Sequence, residues 1–591
     1  MTDVNKLITD NIDVWTSAIK KRNTTGRGSS KKIELTGVKK LRELILELAV
    51  RGKLVPQDAN DEPASILLER IAVEKTQLIA DKKIKKQKPL PAITDGEKPF
   101  ALPSGWEWSQ LGAICEIGPR NQLADDLDVG FVPMPLISTS YKGNHGLEIR
   151  KWSEIKKGYT HFADGDIGLA KITPCFENSK AAVFSHLTNG YGAGTTELHI
   201  ARPIKNTLDP LFILLFLKAP MFLEVGKSKM TGSAGQKRVP SDYFSGRELP
   251  FAPLAEQHRI VAKVDELMSL CDELEQQTEQ SLTAHQTLVE VLLAALTKSD
   301  STEDFQTSWQ RIAEHFDVLF TTEHSIEQLK QTILQLAAMG KLVPQNPSDE
   351  PVDKLLARIA SHRDERVKNK EMQKFKLVKP IDDPNSEVPL SWKSILLNDL
   401  VFVTKLAGFE YTKHIDLKDS GEVPVIRAQN VRPFRPDLRN LKYIDEETSM
   451  ALPRSALDRA ALLITFIGAG IGDVCLLNEN KRFHLAPNVA KVEAFSDLSL
   501  QYLSVYLNSP LGKVELFKSM KSTAQPSISM TTLREMWVSL PPLAEQHRIV
   551  AKVDELIALC EKLKARLSDS QTTQLHLADA VVENALNDAI I

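Results

Sequence analysis

No run of about 18 apolar residues occurs in this chain, so the plain membrane-spanning helix is excluded. Its N-terminus, MTDVNKLITDNIDVW, lacks the basic-then-apolar layout of a secretory signal, and a cytoplasmic protein is expected. Cysteine is scarce: Cys115, Cys175, Cys271, Cys475 and Cys560 form no C-x-x-C pair, which leaves neither a disulfide framework nor a zinc spacing and points to reduced thiols. A net charge of −3 argues against a general polyanion binder, because nonspecific affinity for nucleic acid is built from lysine and arginine at phosphates.

Catalytic motifs are missing as well. Gly52-Lys53 and Gly340-Lys341 are each followed by leucine, without the hydroxyl by which a phosphate-binding loop holds magnesium, so ATP chemistry is not expected here. His145, His161, His186 and His199 have no metal-ligand spacing, and Asp164, Asp166 and Lys171 match a nuclease's clustered acids poorly. Phe466-Ile467-Gly468-Ala469-Gly470 resembles the F-x-G-x-G turn of S-adenosylmethionine-dependent methyltransferases. The companion Pro-Pro-aromatic motif is absent, since Pro541-Pro542 lies between Leu540 and Leu543.

What is present is a repeat. PLAEQHRIVAKVDELMSLC at Pro253 returns 289 residues later at Pro542, with only Met268 and Ser269 replaced, by Ile557 and Ala558. LRELILELAVRGKLVPQ at Leu41 is echoed by LKQTILQLAAMGKLVPQ at Leu329. The segments between, Leu102 to Pro250 and Val388 to Leu540, share only a rough hydrophobic outline. Two homologous halves with near-identical connectors around divergent modules suggest one operation performed twice on two targets.

At about 150 residues per domain, 591 residues make roughly four units. The boundaries read as 1–100, a helical region with a basic linker; 101–252, a first module; 253–300, a central helix; 301–390, a repeat of the N-terminal region; 391–541, a second module; and 542–591, a C-terminal helix. After each motif proline, suited to a first helical turn, apolar residues recur at alternating steps of four and three. The first series is Ile260, Val264, Leu267, Cys271 and Leu274, continuing to Leu288 and Leu292. The second is Ile549, Val553, Leu556, Cys560, Leu563, Leu567, Leu577 and Val581. That 3.5-residue period is a coiled-coil seam. Two such helices packed antiparallel relate the modules by an internal pseudo-twofold axis.

The modules read as strand-rich α+β domains, with strands expected in Phe131 to Thr139, Val423 to Val431 and Ala461 to Leu477 and helices near Phe212 and Tyr502. Their loops carry side chains that suit base edges. In the first module these are Tyr141, Lys142, Asn144 and His145, then Ser233, Gln236, Lys237 and Arg238. The second offers Arg427, Gln429, Asn430 and Arg432, then Thr523, Gln525 and Ser527. Arginine and lysine fit guanine and asparagine and glutamine fit adenine through paired hydrogen bonds. Basicity concentrates just before each module: residues 1 to 100 carry 20 Lys+Arg against 14 Asp+Glu, whereas 253 to 300 carry 3 against 9. The runs are DKKIKKQKPLP from Asp81 and ERVKNKEMQKFKLVKP from Glu365.

These residues resemble the specificity subunit of Type I restriction-modification enzymes. The resemblance rests on P-L-A-E-Q-x-R-I-V-x-K-V-D-E-L at Pro253 and Pro542, each preceded by a Gly-Ser or Ser-Thr loop followed by Gln. The doubled G-K-L-V-P-Q element is similar to the branch called IB. The resemblance implies a subunit without catalysis of its own or a bound cofactor, whose two target recognition domains each read half of a split DNA site. It further implies an antiparallel coiled coil that spaces the readers and binds two methyltransferase subunits using S-adenosylmethionine. Two ATP- and magnesium-dependent restriction subunits complete the enzyme. Paired readers on one face of B-DNA sit about 34 Å apart. A self-contained methyltransferase and a scaffold that binds no DNA are the rival readings, and sequence-specific DNA binding separates them.

Overall fold

The computed structural model describes residues 4–22, 32–233, 235–371, 388–468, 470–518 and 527–588. They form two units, one of residues 1–282 with 569–591, the other of residues 283–568. Each unit holds one module, several shorter helices and a portion of both long helices.

The long helices run Leu254–Lys298 and Leu543–Asp588, 45 and 46 residues, about 68 Å each at 1.5 Å per residue. In the first unit the opening turns of the central helix share a core with Ala578 and Ala585, near the end of the other. In the second unit Ile549, Val553 and Cys560 lie in one core with Val289, Leu293 and Leu296. The start of each helix thus keeps company with the end of the other, as in an antiparallel pair. Ile260, Val264, Leu267, Cys271 and Leu274 are buried, as are Ile549, Val553 and Cys560, while Leu556 and Leu563 are half-buried.

The expected seam departs at one far position in both copies, while Leu292 and Val581 are half-buried against the cores. Leu288 and Leu577, which occupy the same repeat position, are 51% and 43% exposed, and Val289 and Ala578 are buried instead. An α-helix drifts by about 20° per heptad against a strict 3.5-residue repeat, and beyond Leu274 the inward face passes through Thr278, Leu282 and His285 to Val289. The seam slips by one residue because nothing in that stretch holds the helix underwound.

A short helix docks on both long helices within each unit. Thr36–Val50 does so in the first, where Arg42 donates to Asp272 and Glu275, both at 2.6 Å, and Lys40 pairs with Asp579. Glu323–Ala338 does so in the second, where Lys330 reaches Glu561 at 2.8 Å and Gln328 reaches Glu290 at 2.9 Å. The acidic excess of the central helix is therefore partly matched by cations on its neighbour.

Both modules have the same topology despite their unlike sequences. One sheet of the first orders its strands Glu148–Lys151, Asp128–Val132, Tyr191–Gly194, Thr160–Ala163, the middle pair parallel. Its counterpart orders Lys442–Ile444, Val423–Ile426, Phe483–Leu485, Ala456–Leu457, again with the middle pair parallel. The second sheets run Cys115–Ile117, Leu198–Pro203, Ile167–Ala170, Ala181–Val183, and Val401–Lys405, Val489–Ala494, Ala461–Thr465, Val474–Leu477, all antiparallel. A two-stranded ribbon, Glu107–Gln110 with Glu248–Phe251 or Lys393–Leu396 with Trp537–Leu540, closes each module at its ends. The predicted strands at Phe131 and Val423 are shorter than expected, because each turns into one 3-10 turn, Met134–Leu136 or Ala428–Asn430. Ala461 to Leu477 is a hairpin and not one strand.

Candidate nucleic-acid interface

Each module is fixed to its helix by the residues of the repeated motif. Glu256 and Glu545, 1% and 0% exposed, are the centre. Trp106 Nε1 donates to Glu256 at 2.9 Å and Gln57 Nε2 at 2.6 Å; Trp392 and Gln345 do the same to Glu545 at 3.0 and 2.7 Å. Burial raises both carboxyls above their ordinary value, and the donated hydrogen bonds oppose that rise. The next residue ties the sheet to a helix start. Gln257 donates to Ala252 O at 2.8 Å and accepts from Asp209 N at 2.9 Å, as Gln546 does with Pro541 O and Ser499 N at 2.9 and 3.1 Å. Arg259 pairs with Asp61 and Arg548 with Asp349, each at 2.6 Å. Gly52 and Gly340 complete the joint: at φ of +67° and +72°, a Cβ there would lie 2.9 Å from Trp106 or 3.0 Å from Trp392, so only glycine fits. The connectors are near-identical because both ends of every bond are repeated.

The candidate loops extend from this frame. In the first module Val239 N donates to Lys171 O at 2.8 Å and Lys171 N to Glu197 O at 2.9 Å; in the second Ile528 N donates to Phe466 O at 2.9 Å and Phe466 N to Asn488 O at 3.1 Å. The same backbone register therefore places Arg238 and Ser527, the residues before Val239 and Ile528, at equivalent sites, near Lys171 and Phe466. Ser233, Gln236, Lys237 and Ser527 are exposed. Arg238 is engaged, donating to Glu197 at 2.9 and 2.8 Å, and that contact holds the Glu197 carboxyl below its ordinary value. Thr523 and Gln525 lie outside the described residues.

The other two loops are not equivalent. Arg427, Gln429 and Asn430 belong to the turn that matches Met134–Leu136, whereas Tyr141 to His145 follow that turn. Gln429 and Arg432 are exposed. Asn430 is buried and binds the backbone at Arg427 N and Asp437 O, at 3.1 and 2.9 Å, and Arg427 donates to Asn440 O at 3.0 Å. In the first module Tyr141 packs into the core that contains the central helix, and its loop lines a cavity with Val261, Val264 and Asp265. His145 Nε2 accepts from Ser185 N at 3.1 Å. Lys142 and Asn144 are exposed.

The turn around Gly468 joins two antiparallel strands and opens no helix, so it is not placed as a cofactor loop. Asp166 is bound to Arg202 at 2.8 Å, and among the described residues no cluster of His, Cys, Asp or Glu is arranged to hold a metal. The loops Lys171–Lys180 and 466–473 were not singled out from sequence as companions of the candidate DNA-reading loops. Their signal is weak, glycine and proline that any surface turn uses, and only the register puts them beside the candidates.

The profile described as Type I restriction modification DNA specificity domain matches residues 103–284 and 389–570. The EcoAI and EcoEI specificity subunits of Type I restriction enzymes, both from Escherichia coli, are 48% and 47% identical to this chain, over 99% of it and 100% of each relative. A crystal structure of the HsdS subunit from Thermoanaerobacter tengcongensis is 17% identical, covering 83% of this chain and 98% of that one at a TM-score of 0.43. This chain belongs to the Type I restriction-modification specificity subunits, the non-catalytic recognition component of those systems, and carries the family's DNA specificity domain twice.

Proposed function

We propose that each module reads one half of a bipartite, asymmetric sequence in double-stranded DNA, and that the long helices set the unread spacer and dock two modification subunits. Two restriction subunits complete the full enzyme. S-adenosylmethionine, ATP and magnesium serve those partners in the cytoplasm, and this chain binds none of them. The observation that carries the reading is the repeated joint between module and helix, set against exposed loop residues that share almost no sequence between the two modules. Identical mounting with different loops is what two readers of two half-sites require. Within that reading the base contacts fall to Ser233, Gln236, Lys237, Lys142, Asn144, Gln429, Arg432, Thr523, Gln525 and Ser527. Tyr141, His145, Arg238, Arg427 and Asn430 shape the loops that present them.

The test is long-read sequencing of native DNA from cells that express this chain with its modification subunit. The expected result is methylated adenine at a single two-part motif that disappears without this chain. An active, assembled complex that methylates no such motif overturns the reading.

A further inference from the structure

Between the helix Ala64–Ala80 and the first module, Lys82, Lys83, Lys85, Lys86 and Lys88 fall within seven residues, all exposed. The segment is held in place. Ile84 and Leu90 are half-buried, and the methyl groups of Leu90 lie 3.2 Å from the Cβ position of Gly112. Ile84 N donates to Leu78 O at 3.3 Å, Lys75 Nζ to Gln87 Oε1 at 3.2 Å and Gln110 Nε2 to Pro91 O at 3.1 Å. Its apolar residues thus face the protein and its lysines face water. Among the described residues only Lys83 has an acid in ion-pair reach, Asp81 at 3.4 Å. Some other lysines near the surface are matched, as Lys156 is by Asp125 at 2.7 Å and Lys418 by Asp445 at 2.6 Å, and what sets this segment apart is five exposed lysines within seven residues. An anchored row of unmatched lysines costs like-charge repulsion, which a polyanion relieves.

We propose that Lys82, Lys85, Lys86 and Lys88 bind the phosphate backbone of DNA beside the half-site of the first module, a sequence-independent clamp lying outside the matched domain at 103–284. The proposal rests on the DNA-reading function above. Lys82 and Lys83 lie in the turn that closes the helix and Lys85, Lys86 and Lys88 follow it, so the run offers several closely spaced cations to a strand that presents a phosphate about every 3.4 Å along the axis. Lysine suits such a clamp because it is a compact point charge that meets phosphate from many angles, whereas the planar arginine fork favours fixed carboxylate partners. The basic run from Glu365, before the second module, repeats the composition in sequence, with Lys368 and Lys370 exposed and residues 372–380 outside the described ones.

The experiment compares the full chain, assembled with its modification subunits, with a variant carrying K82Q, K85Q, K86Q and K88Q. Fluorescence anisotropy across a salt series measures binding to a duplex holding the methylated motif and to one of equal length without it. The slope of log affinity against log salt is expected to shrink by about 0.9 for each phosphate no longer neutralised, up to about 3.6. Both duplexes should weaken by the same factor, and the methylated motif should not change. The four-arginine variant should keep the slope, and unchanged thermal unfolding shows that the glutamine variant is folded. An unchanged slope overturns the clamp, as does weakening confined to the motif duplex. Weaker assembly with the modification subunits at an unchanged slope assigns the patch to a protein partner and also overturns it. If the wild-type complex shows no preference for the motif duplex, the DNA-reading function itself fails, an outcome distinct from the others, and the clamp falls with it.

Discussion

In the first unit Arg238 closes its loop by gripping Glu197, while the second unit carries Ser527 and Asn488 at the corresponding places and repeats the backbone bonds. At the joint with the helix the contrast vanishes: Glu256 and Glu545 each accept from one tryptophan and one glutamine, on both carboxyl oxygens of Glu256 and on Oε1 of Glu545. A buried carboxylate with two donors tolerates no change in its partners, because each orphaned group costs desolvation energy. An exposed loop closed by backbone hydrogen bonds accepts almost any side chain. Divergence is therefore permitted where the module faces outward and forbidden where it meets its helix.

The comparison can be broken first at the long helices. Inserting one heptad between Leu274 and Leu282 should lengthen the unread spacer and leave both half-sites as they were, so methylation of the original motif is abolished and a longer one appears. A stably folded insertion variant with the original spacer removes the helices from that role.

Next comes the joint. Trp106→Ala and Trp392→Ala should each destabilise their own unit by about 3–5 kcal/mol, the usual cost of emptying a buried aromatic site, and by equal amounts within about 1 kcal/mol if the two joints are equivalent. Denaturant unfolding of each variant gives both numbers, and a large inequality would falsify the equivalence. The loops give a smaller and one-sided effect. Gln236→Ala with Lys237→Ala should cost about 1–3 kcal/mol of discrimination for each base no longer read and relax the motif at one half-site only, as methylation sequencing would show. Equal weakening at both half-sites would point to impaired assembly.

The smallest effect is a pH profile. Burial raises the Glu256 carboxyl above its ordinary 4.5, so the folded protein holds that proton more tightly than the unfolded chain. Stability from this group is therefore greatest at low pH and declines as pH rises through the raised value. Glu256→Gln lacks the decline, so the stability of E256Q relative to wild type should climb from pH 4 to pH 7. A flat difference would mean that the donors from Trp106 and Gln57 fully offset burial.

Much of this architecture was legible in the residues. The repeat, the two long helices and the first five seam positions of the central helix all follow from the spacing of Ile260 to Leu274 and of its copy. The far seam was not legible, because Leu288 and Val289 are both good core residues, and only the accumulated rotation of the helix chooses between them. The loops behaved similarly. Tyr141 and Gln236 look alike as polar loop residues, yet one packs toward the central helix and the other is exposed, a difference set by segments far away in the chain.

By itself, then, the sequence determined that this chain is a duplication with near-identical connectors around divergent modules, since a repeat is a property of order and needs no coordinates. The tertiary structure alone decided that the motif's Glu, Gln and Arg are mounting residues, and that Arg238 and Ser527 occupy one register. Those facts depend on which groups meet across some 150 to 200 residues of intervening chain, and burial and hydrogen bonding fix them only once the modules have closed.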